Sequence, residues 1–123
     1  MSKIKKDVEV EVTDITANGC TLRVRSKEYH LSFVTRYPCF LGVPAEEIKK
    51  VSLCHTDLQW ESLDIYISID SLEHPRRYPY LMLSKDHLRR IQDVLAHTDR
   101  YPGVKFTKRQ RERLQSKIDK IAE

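Results

Sequence analysis

The chain is poor in residues that bend, staple or span. Its 123 residues include three glycines, three cysteines, one tryptophan and no apolar run long enough to cross a bilayer. So little glycine beside a charged fraction of 33% argues against collagen-like and low-complexity classes. Cys20, Cys39 and Cys54 are odd in number and far apart, with no C-x-x-C pair, so neither a disulfide framework nor a zinc site is suggested. The start, Met-Ser-Lys-Ile-Lys-Lys, has charge but no apolar segment behind it, so no secretory leader is expected. A cytoplasmic protein with inert thiols and no membrane association is the expectation.

A hydrophobic content of 40% suits one globular domain with a modest core. The formal charge of +4 is unevenly spread. Residues 105–123 hold seven basic side chains against three acidic ones, whereas residues 1–104 hold fifteen of each. The whole excess sits in the tail.

Residues 58–79 look like the organising stretch, because the sole tryptophan, the cleanest alternation and the densest acidic run coincide there. Leu63, Ile65, Ile67 and Ile69 alternate with Asp64, Tyr66, Ser68 and Asp70, the period of a half-buried strand. Between residues 57 and 73 stand Asp57, Glu61, Asp64, Asp70 and Glu73 with no lysine or arginine. A solvated acidic face is expected there rather than a metal site.

Upstream, Val8, Val10 and Val12 alternate with polar residues, and Asn18-Gly19 signals a hairpin because both residues tolerate positive φ. Residues 21–25 and 29–33 complete a three-stranded meander. Residues 34–43 form an apolar loop expected to lie on the core. A short helix follows over 44–50, with Pro44 at its first position, Glu46 and Glu47 in its first turn, and Lys49 and Lys50 at its end. Brief strands over 51–54 and 58–60 lead into the central one.

Ser71 is expected to cap a short turn, and residues 80–83 form an apolar segment. Ser84 opens a helix reaching about His97, with Leu88, Ile91, Val94 and Leu95 on one face. Thr107 and Gln110 have capping-box spacing ahead of a last helix, down which Leu114, Ile118 and Ile121 recur. The expected architecture is α+β: a mainly antiparallel sheet of about five strands, one short inserted helix and a C-terminal helical pair. Residues 1–83 would form the sheet domain, and residues 84–123 would pack on it or on a partner.

Arg-Tyr-Pro occurs three times, at 36–38, 77–79 and 100–102. The unequal spacings, and flanks read as unmatched, make the tripeptide punctuation at element boundaries rather than a repeat.

At Tyr29-His-Leu-Ser-Phe, Tyr37-Pro-Cys-Phe, residues 45–51 and Leu58-Gln-Trp-Glu-Ser-Leu-Asp-Ile, the chain resembles a small bacterial family known as domain of unknown function 2442. The resemblance spans residues 29–80, and where the family pattern usually has a second acidic residue this chain has Tyr66. It implies an α+β fold and no established activity. Its members occur as gene-cassette proteins or ahead of a repressor-like helix-turn-helix, and some look like partners of small toxin-like proteins. An antitoxin-like or regulatory role follows by analogy.

Catalysis would need a nucleophile, a base and an orienting group brought together. His30, His55, His74, His87 and His97 are scattered, without the H-x-x-x-H or C-x-x-C spacing of metal ligands. No catalytic residue, metal or cofactor is therefore assigned. The reading is a non-enzymatic interaction or regulatory protein with a protein partner, including itself as a homodimer. Its candidate contacts are Trp60, Asp64, Tyr66, Leu114, Ile118 and Ile121, although core packing is the readier expectation for Trp60 and folding back onto the domain for the last three. The alternative is weak, sequence-independent nucleic-acid binding through Lys105, Lys108, Arg109, Arg111 and Arg113.

Overall fold

The computed structural model describes residues 9–78 and 83–122. It is α+β, with six strands in two three-stranded antiparallel sheets, ordered β1-β2-β3 and β4-β5-β6, and four α-helices. The strands are β1 (Val10–Thr16), β2 (Gly19–Val24), β3 (Lys27–Ser32), β4 (Ser52–Cys54), β5 (Asp57–Trp60) and β6 (Ile65–Ser68). The helices are α1 (Ala45–Ile48), α2 (Ile69–Glu73), α3 (Lys85–Ala96) and α4 (Lys108–Ala122). The expected single sheet of about five strands is thus two separate meanders. Val8 and most of the 80–83 segment lie outside the described residues.

The first meander folds where Asn18-Gly19 points, but by another mechanism. Neither residue takes a positive φ; the left-handed residues of the meander are Asp14, at φ 49°, inside the register irregularity between Thr13 and Thr16, and Arg25, at φ 57°, in the β2–β3 turn. Gly19 is required by space, since a Cβ there would stand 2.6 Å from the Leu31 carbonyl oxygen across the β2–β3 ladder.

The organising strand is shorter than its alternation implied. Residues 61–63 coil into a 3₁₀ turn, and Asp64 closes it in the left-handed region at φ 56°. Only then does β6 begin. It ends at Ser68, whose hydroxyl accepts from the Ser71 amide and caps α2, so Ser71 is the capped residue and not the cap. Asp64 and Asp70 therefore do not share a strand face. Hydropathy alternates equally well through a strand with a turn at each end, because Leu63 and Ile69 still pack against the core from non-strand positions.

One buried cluster joins both sheets, the 33–41 loop and the C-terminal helices. Trp60 lies at its centre, fully buried, with Phe40 edge-on at 4.9 Å and Phe33 stacked beyond at 5.1 Å. Its indole Nε1 donates to the Ile48 carbonyl at 2.7 Å, fastening α1 to the second sheet. The helix α3 begins at a reciprocal cap: the His87 amide donates to Ser84 Oγ, and the Ser84 amide donates to His87 Nδ1. Thr107 and Gln110 make the same exchange ahead of α4.

Two of the three Arg-Tyr-Pro tripeptides end a shared local structure, correcting their reading as mere punctuation. The chain reads Asp-x-Leu-x-His-x-x-Arg-Tyr-Pro from Asp70 and again from Asp93. In both copies the His amide caps the helix by donating to the Asp carbonyl, a 3₁₀ turn follows, and the Tyr amide closes that turn. Both tyrosine hydroxyls then reach back to the Asp carboxylate eight residues earlier, Tyr78 to Asp70 and Tyr101 to Asp93. Those bonds hold both phenols protonated above their ordinary range. The first tripeptide lacks this lead-in, and its Tyr37 is buried ahead of a 3₁₀ turn at Pro38–Phe40.

Candidate surface groove and its surroundings

A concavity of about 490 Å³ opens between β6, α2, the start of α3 and the 33–38 loop. Its floor is Ile67, Tyr37 and His87, all buried, and its exposed aromatic wall is Tyr66 and Tyr78. His87 is held in one tautomer. Its Nδ1 is taken by the Ser84 amide, so its Nε2 carries the proton and donates to the Leu63 carbonyl at 2.7 Å. That bond anchors α3 to the turn that sets Asp64. At the far side, Arg36 Nη2 donates to the carbonyls of Pro75 and Tyr78, joining the first Arg-Tyr-Pro to the second.

The acidic run divides around this groove. Asp70 is engaged by Tyr78, and Glu73 accepts from Lys27 Nζ at 2.7 Å and Tyr29 Oη at 2.9 Å. The bond from Lys27 chiefly holds the Glu73 carboxyl below the ordinary range, with Tyr29 adding to it. Asp57 and Asp64 make no ion pair or side-chain hydrogen bond among the described residues, and both line the groove. Asp57 pairs across the ladder with Ser68, while Asp64 immediately precedes Ile65. The two carboxylates therefore flank Tyr66, which is 56% exposed.

Of the residues expected at a partner surface, Asp64 and Tyr66 meet in the groove. The others do not join them. Trp60 is enclosed, and Leu114 and Ile118 are buried in the same core, leaving only Ile121 of the C-terminal stripe exposed. Arg36, Tyr37, Tyr78 and Asp57 were not identified as site residues from sequence. The third Arg-Tyr-Pro stands apart from this groove.

Among the expected nucleic-acid contacts, Arg111 has a structural occupation. It donates to the Leu95 carbonyl at 2.7 Å and Thr98 Oγ1 at 2.9 Å while lying over the Phe106 ring, and so closes the end of α3. Lys105, Lys108, Arg109 and Arg113 are exposed. The continuous basic face of α4 is Arg109, Arg113, Lys117 and Lys120, at i, i+4, i+8 and i+11. Desolvation, and then Arg36 nearby, depress the Lys117 ammonium below its usual range.

Among the described residues, no group of three or more His, Cys, Asp or Glu side chains could hold a metal ion, and no helix is long and apolar enough to cross a membrane. No protein-family model, curated protein or solved structure matches the chain. The resemblance to domain of unknown function 2442 accordingly rests on the residues quoted for it.

Proposed function

We propose that the chain is a non-enzymatic interaction or regulatory protein, antitoxin-like in kind, whose protein partner docks in the groove beside β6. The observation that carries this reading is the coincidence in one groove of a buried, partly apolar floor, two exposed tyrosines and two carboxylates without a partner among the described residues. Exposed aromatics around a concave, partly apolar floor are the usual furniture of a protein contact. A homodimer through the C-terminal stripe would have only Ile121 to offer, so the partner is taken to be a different protein. A photo-crosslinking amino acid at position 66, compared with one at exposed Glu28, tests the proposal in the native host. It predicts a protein captured from position 66 alone, whose complex, rebuilt from purified components, is lost in Tyr66→Asp. Equal capture from both positions, or none, would count against it.

The basic face of α4 favours a second reading, weak binding to nucleic-acid backbone. Four cations on one helix face, with no acidic residue among them, suit a row of phosphates. Triple charge reversal at Arg109, Arg113 and Lys120 leaves the buried face of α4 untouched. Duplex DNA affinity that falls steeply with salt in the natural chain and disappears in this variant would establish the reading. No binding by the natural chain at low salt would end it.

A further inference from the structure

We infer that the outer edge of β6 is an acceptor for strand addition, taking an extended basic segment of the partner with a Lys or Arg side chain over Tyr66 between Asp57 and Asp64. This deepens the groove reading and rests on it. In the second sheet β6 pairs only with β5, and among the described residues its other edge has no backbone partner. The groove is lined by Asp64, Tyr66, Ile67 and Ser68, so its open space runs along that edge.

Unpaired edges invite another strand, and proteins usually blunt them with lysine, proline, an irregularity or brevity. The other edges here carry such devices. The β1 ladder is broken between Thr13 and Thr16, β3 begins Lys27-Glu28, and β4 is three residues long behind Lys49-Lys50. The β6 edge reads Ile-Tyr-Ile-Ser, with no proline, lysine or irregularity within it; it is four residues long, and since Ser71 Oγ donates to the Ser68 carbonyl at 2.7 Å, the acceptor stretch is residues 64–67. Its only charges are the two flanking carboxylates, which repel an acidic strand and attract a basic one. A cation above Tyr66 would also meet the negative face of the ring. Arg36, at the opposite wall, keeps its positive charge, with Nη2 donating to two carbonyls and a buried Nε without a partner among the described residues, so it offsets one of the two carboxylates and leaves the lining net negative.

The probe is a capped pentapeptide, Thr-Val-Lys-Val-Thr, titrated into the isotope-labelled full chain at low salt. Controls replace its lysine by glutamate or its second valine by proline. The lysine peptide should shift the amide signals of residues 64–68 and slow hydrogen exchange within β6. The glutamate and proline peptides should bind at least tenfold more weakly. Asp57→Asn with Asp64→Asn should weaken the lysine peptide about tenfold with unfolding temperature unchanged, since asparagine tolerates the left-handed backbone at position 64. Strand addition is overturned if the lysine and proline peptides bind alike, if no signal in β6 moves, or if every β6 amide already exchanges slowly in the free chain. A partner still captured at position 66 under any of those outcomes would leave the groove reading standing while removing this one.

Discussion

Two of the three cysteines are buried and one is exposed, and chemistry should tell them apart. Burial pushes the Cys20 and Cys39 thiols up to about 12, whereas Cys54 is exposed at the end of β4. A thiol reacts as its thiolate, so one equivalent of a disulfide reagent should be consumed quickly at neutral pH and two only on unfolding. Two or three fast equivalents would mean that the core opens readily. Trp60 makes a second prediction at this scale. Phenylalanine there keeps an aromatic ring but leaves the buried Ile48 carbonyl without its donor, at a cost of about 1–3 kcal/mol. Denaturant unfolding of Trp60→Phe checks it, followed by far-ultraviolet dichroism because the fluorophore is lost.

Two helix starts, those of α3 and α4, were fully legible, whereas Pro44 precedes α1 instead of standing at its first position and Ser68 takes the capping place expected of Ser71. Ser84 and Thr107 were recognisable because a cap needs a side-chain acceptor at one position and a reciprocating group three residues later, information held within four residues. Ser84→Ala and Thr107→Ala should each cost about 1 kcal/mol, measured by denaturant midpoint, and Ser→Thr or Thr→Ser exchanges should cost little. The central strand was legible only in part. Alternation marked Ile65 and Ile67 correctly, but it says nothing about φ, and the left-handed Asp64 that ends the preceding turn has no hydropathy signature. Two sheets instead of one could not be told apart by pattern, since a meander that stops pairing and one that continues have the same period. The groove was half visible. Asp64 and Tyr66 lie on the stretch that drew attention, but Arg36 and Tyr37 reach it through long-range folding, which adjacent residues do not announce. The Asp-x-Leu-x-His-x-x lead-in was in plain view in the seven residues ahead of the second and third tripeptides.

At the scale of the molecule, α4 is part of the core rather than an appendage. Leu114 and Ile118 each contribute roughly 1.5–3 kcal/mol by burial, a large share of the stability of so small a domain. A chain ending at Val104 should therefore lose cooperative thermal unfolding, and charge reversal is the sound way to interrogate the tail. Glu73 makes the pH prediction, because it ties α2 to β3. Its carboxyl is held down in the folded state, so its contribution is present above the ordinary carboxylate range and fades as pH falls through the lowered value. The gap in unfolding temperature between the natural chain and Glu73→Gln should be widest near neutrality and close as pH falls below the ordinary carboxylate range. A gap independent of pH would show that the Lys27 and Tyr29 bonds do not depend on charge. Each sheet, finally, is built from consecutive strands joined by two-residue or four-residue connections. Neither has to wait for distant chain before its ladder closes, so both have the low contact order of fast-forming units. As the chain leaves the ribosome the first meander is complete by Ser32, and the second needs only the stretch to Ser68, so the slow event is their consolidation under the last helix.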